Sequence, residues 1–278
     1  MPDHVIAAVL VAALLHAGWN TLVKAHGGAS ATILVATEAG LLCACALPFV
    51  AAPAPASWPF IGASALAQTL YYFLLIATYR SGELSHAYPL MRGVAPLIVA
   101  LCGHLAGEDL KTGQWLAVGL ICGGVLAMCA DAARHGRAGR RTTLLALATA
   151  GVIALYTLVD GAGVRRSGAP ASYTMWIFLL TALSVLALGW RGRRADLLAF
   201  ARRHPVSVFG GGLLSVGSYG IALWAMTRAP VAAVAALRET SILFATLIAA
   251  LLLRERVGPA RLLAAGLIAG GACAMRLA

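Results

Sequence analysis

Charge is scarce in this sequence. Only 11% of its 278 residues are Asp, Glu, Lys or Arg, and just 10 are acidic, where a soluble domain carries about 25% charge. With 61% of residues apolar and a mean hydropathy of +0.86, a water-soluble fold is excluded. Cysteines are few as well. The six (Cys43, Cys45, Cys102, Cys122, Cys129 and Cys273) lie in or beside apolar runs without a CxxC pair, and read as small packing residues rather than disulfides or metal ligands. HExxH, GxSxG and Walker loops are all missing. No hydrolytic, nucleotide-driven or metal chemistry is signalled, and no cofactor is expected. One spacing, His104-x4-Asp109, has the form of an acyltransferase pair. In the second copy described below the position matching His104 is Leu251, which makes the spacing accidental.

Long apolar runs fill the chain instead. Stretches of about 17–25 residues, each enough for one bilayer crossing, fall near 5–23, 30–52, 58–79, 85–106, 113–130, 143–163, 170–190, 205–226, 231–253 and 259–276. They are separated by APAPAS at 52–57, the turn of Gly107, Glu108 and Asp109, Gly168 with Pro170, and Gly258 with Pro259. Runs of this length without period-2 alternation are helices rather than barrel strands. The expected fold is an all-α polytopic membrane protein with ten transmembrane helices. The first run has no basic stretch before it and reads as a span, not a cleaved signal. The 21 Lys and Arg cluster between runs, as in 134–141 and 191–203. That placement suits membrane topology and lipid headgroups, not nucleic acid.

The chain also repeats itself. GLICGGVLAM (119–128) and GLIAGGACAM (266–275) agree at seven of ten positions, 147 residues apart, and Glu108 and Glu255 share that separation. Arg92 and Arg238 are 146 apart, and Asn20 and Asp160 are 140 apart. A duplicated five-helix unit enters the membrane the second time from the opposite side. The expected organisation is therefore two inverted repeats, 1–131 and 143–278, joined by a basic linker loop at 132–142.

An ionisable side chain inside a span costs about 2.5–3.5 kcal/mol and so faces protein or a wet cavity. Glu38, Arg92, Asp160, Arg238 and Glu239 are such groups, and His16 joins them at mid-span. Two arginines at corresponding depth would face each other across the pseudo-twofold axis and suit a carboxylate or phosphate. The five charges sum to −1, so one acid is protonated or is balanced by His16, Lys24 or a ligand. Glu38 or Glu239 is the candidate for ion coupling or charge balance. His16, Trp19, Asn20 and Lys24 recur at spacings of three and four as one polar stripe, matched in the second copy by Tyr156, Asp160 and Gly163. Gln68, Tyr71, Tyr72 and Tyr219 complete the candidate ligand contacts, with Trp176, Ser215 and Trp224 as weaker ones. Trp58, Tyr79, Trp115, Tyr173 and Trp190 lie near span ends and read as interface anchors. Gly119-x3-Gly123 and Gly266-x3-Gly270 read as close-packing surfaces.

The segments HAGWNTLVKA (16–25), YPLMRGVAPLIVAL (88–101) and RETSILFATLIAALLLRERV (238–257) resemble the EamA-type branch of the drug/metabolite transporter superfamily, over essentially the whole chain. The resemblance implies a multi-pass inner-membrane secondary transporter. It would export or exchange an amino-acid-like, nucleoside-like or drug-like small polar metabolite by alternating access, among membrane lipids. Spans five and ten would pack together or form a homodimer contact. One departure is Arg254-Glu255 in the second copy, where the first has Gly-Glu, and this makes that turn a poor guide to function. Two rivals are a flippase for lipid-linked substrates, which needs a lateral opening lined by basic loops, and an intramembrane enzyme. The side holding the 134–141 and 191–203 clusters carries 14 basic residues against 5 on the side of the termini. The positive-inside rule then places the termini in the periplasm, whereas the resemblance implies termini inside.

Overall fold

A backbone within lipid has no water to bond, so its N–H and C=O groups must pair internally. The computed structural model describes residues 1–26, 28–81, 84–134, 139–190, 193–252 and 258–278, and helices account for nearly all of them, with no strand among these residues. The helices are α1 (Asp3–His26), α2 (Gly28–Ala46), α3 (Trp58–Ser81), α4 (Leu84–Leu105), α5 (Thr112–Arg134) and α6 (Arg140–Ser167). Then follow α7 (Pro170–Trp190), α8 (Arg194–Arg203), α9 (Pro205–Met226), α10 (Val231–Arg238), α11 (Ser241–Leu252) and α12 (Pro259–Leu277). Eight segments are long and apolar enough to cross a membrane, and the apolar part of α5, Thr112–Met128, is shorter. Hydroxyl side chains inside the spans bond back to their own helix. Thr69 and Thr157, for example, donate to the carbonyls of Ala65 and Ile153 at 2.7 Å, which removes the cost of an unpaired polar group.

Punctuation follows residue chemistry. Gly168 ends α6 in the left-handed region at φ +63°, and Pro170, Pro205 and Pro259 open the next helices where a missing N–H costs nothing. Two expectations are corrected. The ninth run is not one helix but two, α10 and α11. At the break the N–H groups of Glu239 and Thr240 reach only to the carbonyls of Ala236 and Leu237, and the Thr240 hydroxyl also takes the Leu237 carbonyl at 2.7 Å. The stretch after α7, read as loop, contains α8, with Asp196 in its first turn and Arg202 and Arg203 in its last, as the helix dipole favours. Helices α5 and α6 also run into the segment read as linker. Arg137, Arg191, Arg254, Glu255 and Arg256 lie outside the described residues, as do the side chains of Lys24, Tyr79, Cys129 and Arg134.

Helix α1 packs along α9 and α3 along α6, while α2 crosses α7 and α5 lies against α12. Gly40 sets the α2–α7 crossing, because a Cβ there would meet the Phe178 carbonyl at 3.1 Å and the Ala182 side chain closer still. The α5–α12 packing uses different glycines from those expected. Added Cβ atoms at Gly124 and Gly271 would meet the carbonyls of Ala264 and Ala117 at 2.9 Å. Gly119, Gly123, Gly266 and Gly270 face no atom within 4 Å, so the register of the contact lies one residue further on. At one end of the bundle Arg276 Nε reaches Asp3 Oδ1 at 3.2 Å, which brings the two chain ends together, and Lys111 Nζ donates to the Ala278 carbonyl at 2.9 Å.

Candidate functional site

The break between α10 and α11 leaves Arg238 at the end of one helix and Glu239 in the gap. Arg92 faces them from α4, set between Pro89 and Pro96. Pro96 has no N–H to give to the Arg92 carbonyl one turn back. Arg92 Nε donates to Glu239 Oε2 at 2.9 Å, with both side chains buried. A charge-assisted bond of this kind offsets much of the desolvation of the pair. Other donors remain unmet. Arg92 Nη2 and Arg238 Nε are buried with no hydrogen-bond partner among the described residues, as is Ser241 Oγ at the start of α11. Arg92, Pro96, Tyr156, Thr157, Arg238 and Glu239 line a cavity of about 20 Å³, room for about one water molecule. Two cations and one anion leave this centre with a net charge of +1.

Arg238 lies with its guanidinium 5.1 Å from the ring centre of Tyr219. At the edge of that ring the Tyr219 hydroxyl donates a short hydrogen bond to Asp160 Oδ2. Asp160 is 0% exposed, and it also accepts from the Tyr173 hydroxyl at 3.2 Å and from Gln68 Nε2 at 3.4 Å. Gln68 is held in turn by Ser64 Oγ at 3.2 Å. Tyr156 meets Tyr219 and Tyr71 edge-on at 6.2 and 5.9 Å, and Tyr71 meets Tyr72 at 5.4 Å. Arg92, Glu239, Arg238, Tyr219, Asp160, Tyr173, Gln68, Tyr156, Tyr71 and Tyr72 thus form one connected network drawn from α3, α4, α6, α7, α9 and the α10–α11 break.

Other candidates fall differently. In α1 the polar stripe bonds to itself: Trp19 Nε1 donates to His16 Nδ1 at 3.2 Å, and Asn20 Nδ2 to the His16 carbonyl at 2.8 Å. His16 is still within electrostatic reach of Arg92 and Arg238. Glu38 packs against Gly212 of α9 and makes no hydrogen bond to the network among the described residues. Trp176 stacks edge-on against Trp58 at 5.0 Å, Trp224 lies under Arg228 at 5.0 Å, and Ser215 is buried within α9. Tyr173 is corrected from interface anchor to network member. It is 0% exposed, and Gly163 leaves the space its phenol occupies. His104 Nδ1 and Asp109 Oδ1 stand 3.8 Å apart on exposed side chains, too far for a hydrogen bond.

Two features escaped the sequence reading. Tyr88, one turn before Arg92, is within electrostatic reach of Arg92, Glu239 and Arg238, and its i, i+4 spacing to Arg92 could have flagged it. The second is the role of Glu108, which the sequence offers only as a repeat marker in a turn that is a poor guide to function. Its Oε1 accepts from Arg165 Nη2 at 2.8 Å and its Oε2 from the backbone N–H of Val231 at 2.9 Å. Arg165 also donates to the carbonyls of Met226 and Ala229 at 2.8 and 2.9 Å. The α4–α5 turn is thereby tied to the end of α6 and the α9–α10 connection.

A solved crystal structure superposes on 100% of this chain and 98% of its own, with a TM-score of 0.75 at 20% identity. That likeness is one of fold. No match is found among curated proteins. Residues 140–277 match the family model of the EamA-like transporter family. The chain belongs to that transporter family, and so to the drug/metabolite transporter superfamily.

Proposed function

We propose that this protein is a secondary transporter that moves a small polar metabolite carrying a carboxylate or phosphate, by alternating access between two inverted five-helix halves in the inner membrane. The observation that carries the reading is the pair of unmet arginine donors, Arg92 Nη2 and Arg238 Nε, at a helix break beside a cavity. Discontinuous helices at the interface of two repeats are where secondary transporters hold their substrates. An anion there would take both donors and cancel the local charge of +1. The helix pairing supports the inverted repeat: exchanging the halves turns the α1–α9 contact into α6–α3 and maps α2–α7 and α5–α12 onto themselves. On this reading α10 and α11 together form the ninth of ten spans, and α8 lies outside the count.

The cavity is too small for a metabolite, which fits a closed intermediate of the cycle. The Glu108–Arg165 contact holds one end shut, and loading requires one end to open. Glu239, bonded to Arg92 beside the cavity, is better placed than Glu38 to exchange a proton for substrate, while His16, Trp19, Asn20, Tyr71 and Tyr72 complete the walls. Export or exchange is the direction that the family resemblance implies. A thermal-shift screen of the purified protein against carboxylates, phosphates and their neutral analogues tests the reading. A ligand at 100 times its Kd adds about 2.7 kcal/mol of stability. Stabilisation by anions that disappears in Arg238→Gln is the expected result, and equal stabilisation by neutral analogues would overturn the substrate class.

A further inference from the structure

A second cavity lies away from the network. Where α3 and α7 end and α6 begins, a cleft of about 420 Å³ opens between α2, α3, α6 and α7. Arg80, Arg141 and Arg193 line it, and none of them pairs with an acid among the described residues. Three guanidinium side chains lining one cleft repel one another, and an anion between them would relieve that repulsion. The rest of the lining is apolar. On the inner side Ile33 packs with Ala36, Tyr72 and Val185 in an apolar cluster of its own, and neither Arg92 nor Arg238 is among the residues that line the cleft. On the outer side Phe73 and Leu188 line the cleft while 36% and 59% exposed. Leu66 and Leu70, also exposed, precede Phe73 at helical spacing, so the wall runs on into an outward-facing apolar stripe of α3.

A basic mouth joined to an apolar, outward-facing wall matches an amphiphile and not a free polar solute. The depth also matches. Arg194 lies 5.6 Å over the Trp190 ring at the end of α7, and α8 closes on Arg202 and Arg203. Aromatic and basic side chains of this kind settle at headgroup level, and basic pockets between spans hold anionic headgroups. We propose that the cleft binds one anionic phospholipid, its phosphate against Arg80, Arg141 and Arg193 and its first chain segment along Phe73, Ile76 and Leu188. The site is independent of what the central network transports.

The test is native mass spectrometry of the full-length protein titrated with phosphatidylglycerol or phosphatidylcholine. One phosphatidylglycerol should be retained in preference to phosphatidylcholine, and each of Arg80→Gln, Arg141→Gln and Arg193→Gln should weaken retention about fivefold. Ala77→Trp, which fills the cleft without changing its charge, should remove the preference. Excess inorganic phosphate should leave the lipid in place. Retention equal in wild type and all four variants would overturn the proposal, and so would displacement of the lipid by phosphate, which would mark a free-anion site. A variant that keeps every arginine, Phe73→Trp, guards against misfolding of the others. Its added fluorescence should be quenched more by brominated phosphatidylglycerol than by brominated phosphatidylcholine, and equal quenching would also overturn the lipid assignment.

Discussion

Two buried centres of charge meet at Tyr219, Arg238 against its ring and Asp160 at its hydroxyl, and they differ in how far their hydrogen bonds are met. Asp160 has donors from Tyr219, Tyr173 and Gln68 on its two oxygens. Arg92 and Arg238 keep donors that bond to nothing among the described residues. A ligand arriving at Asp160 must first displace a bond already made. A ligand arriving at the arginines relieves donors whose isolation costs about 1–3 kcal/mol each. An ionisable residue inside a span therefore marks a position of consequence, but unmet bonding capacity separates a site from a strut.

The largest expected effect that can break this comparison is that of Arg238→Gln. Its guanidinium rests on a ring face and carries no ion pair among the described residues, so the variant should fold with near-normal yield. Substrate transport should still drop by about thirtyfold or more, the cost of removing one partner of a buried charged contact. Normal transport by the folded variant would make Arg238 a strut as well. Arg92→Gln comes next and acts on both properties. It strands Glu239, at a cost of about 3–5 kcal/mol, and should lower the melting temperature together with transport. The double variant Arg92→Gln/Glu239→Gln should recover the melting temperature without recovering transport; failure to recover would show that the Arg92–Glu239 bond is not what holds α4 to the break. Asp160→Asn is the mirror case. It should cost about 1–3 kcal/mol of stability and leave transport per folded molecule nearly unchanged. A folded, stable Asp160→Asn protein without transport would move Asp160 into the site.

Much of the fold was legible because apolar run length and Gly–Pro punctuation act locally. The helices α1 to α7, α9 and α12 sit within a few residues of the runs that announced them. The break after Arg238 was not legible, since Ile, Leu and Ala continue the apolar run through it and the interruption depends on the local bonding of Glu239 and Thr240. Among candidate residues, charge within a span picked out Arg92, Asp160, Arg238 and Glu239, which lie in the network, and also Glu38, which does not bond to it among the described residues, because lipid penalises charge wherever it occurs. Tyr173 was misassigned for the converse reason: nearness to a span end is an average preference, and the space left by Gly163 lets this Tyr turn inward. The Gly119 and Gly266 pairs show the limit of spacing arguments. Each sits beside a second glycine, and only packing decides that Gly124 and Gly271 carry the contact.

The smallest effect belongs to the Glu108–Arg165 contact, and it sharpens the comparison by asking which end of the bundle gives way to a ligand. Arg165 is 41% exposed at its side chain, so solvent screens the pair and its contribution is at most about 1 kcal/mol. Yet it joins three connections that must part if that end opens: the α4–α5 turn, the end of α6 and the N-terminus of α10, where the Glu108 carboxylate also meets the helix dipole. Glu108→Gln should raise the open population at that end by no more than about fivefold, the ratio that 1 kcal/mol allows. The readout is labelling of a cysteine placed at Ala235, beside the central cavity, in a background lacking the native cysteines. Arg165→Gln should raise labelling to a similar extent, and the double variant no further, because both substitutions remove one shared contact. Additive effects would show that Arg165 holds the end shut mainly through the carbonyls of Met226 and Ala229 and that Glu108 acts on α10 alone.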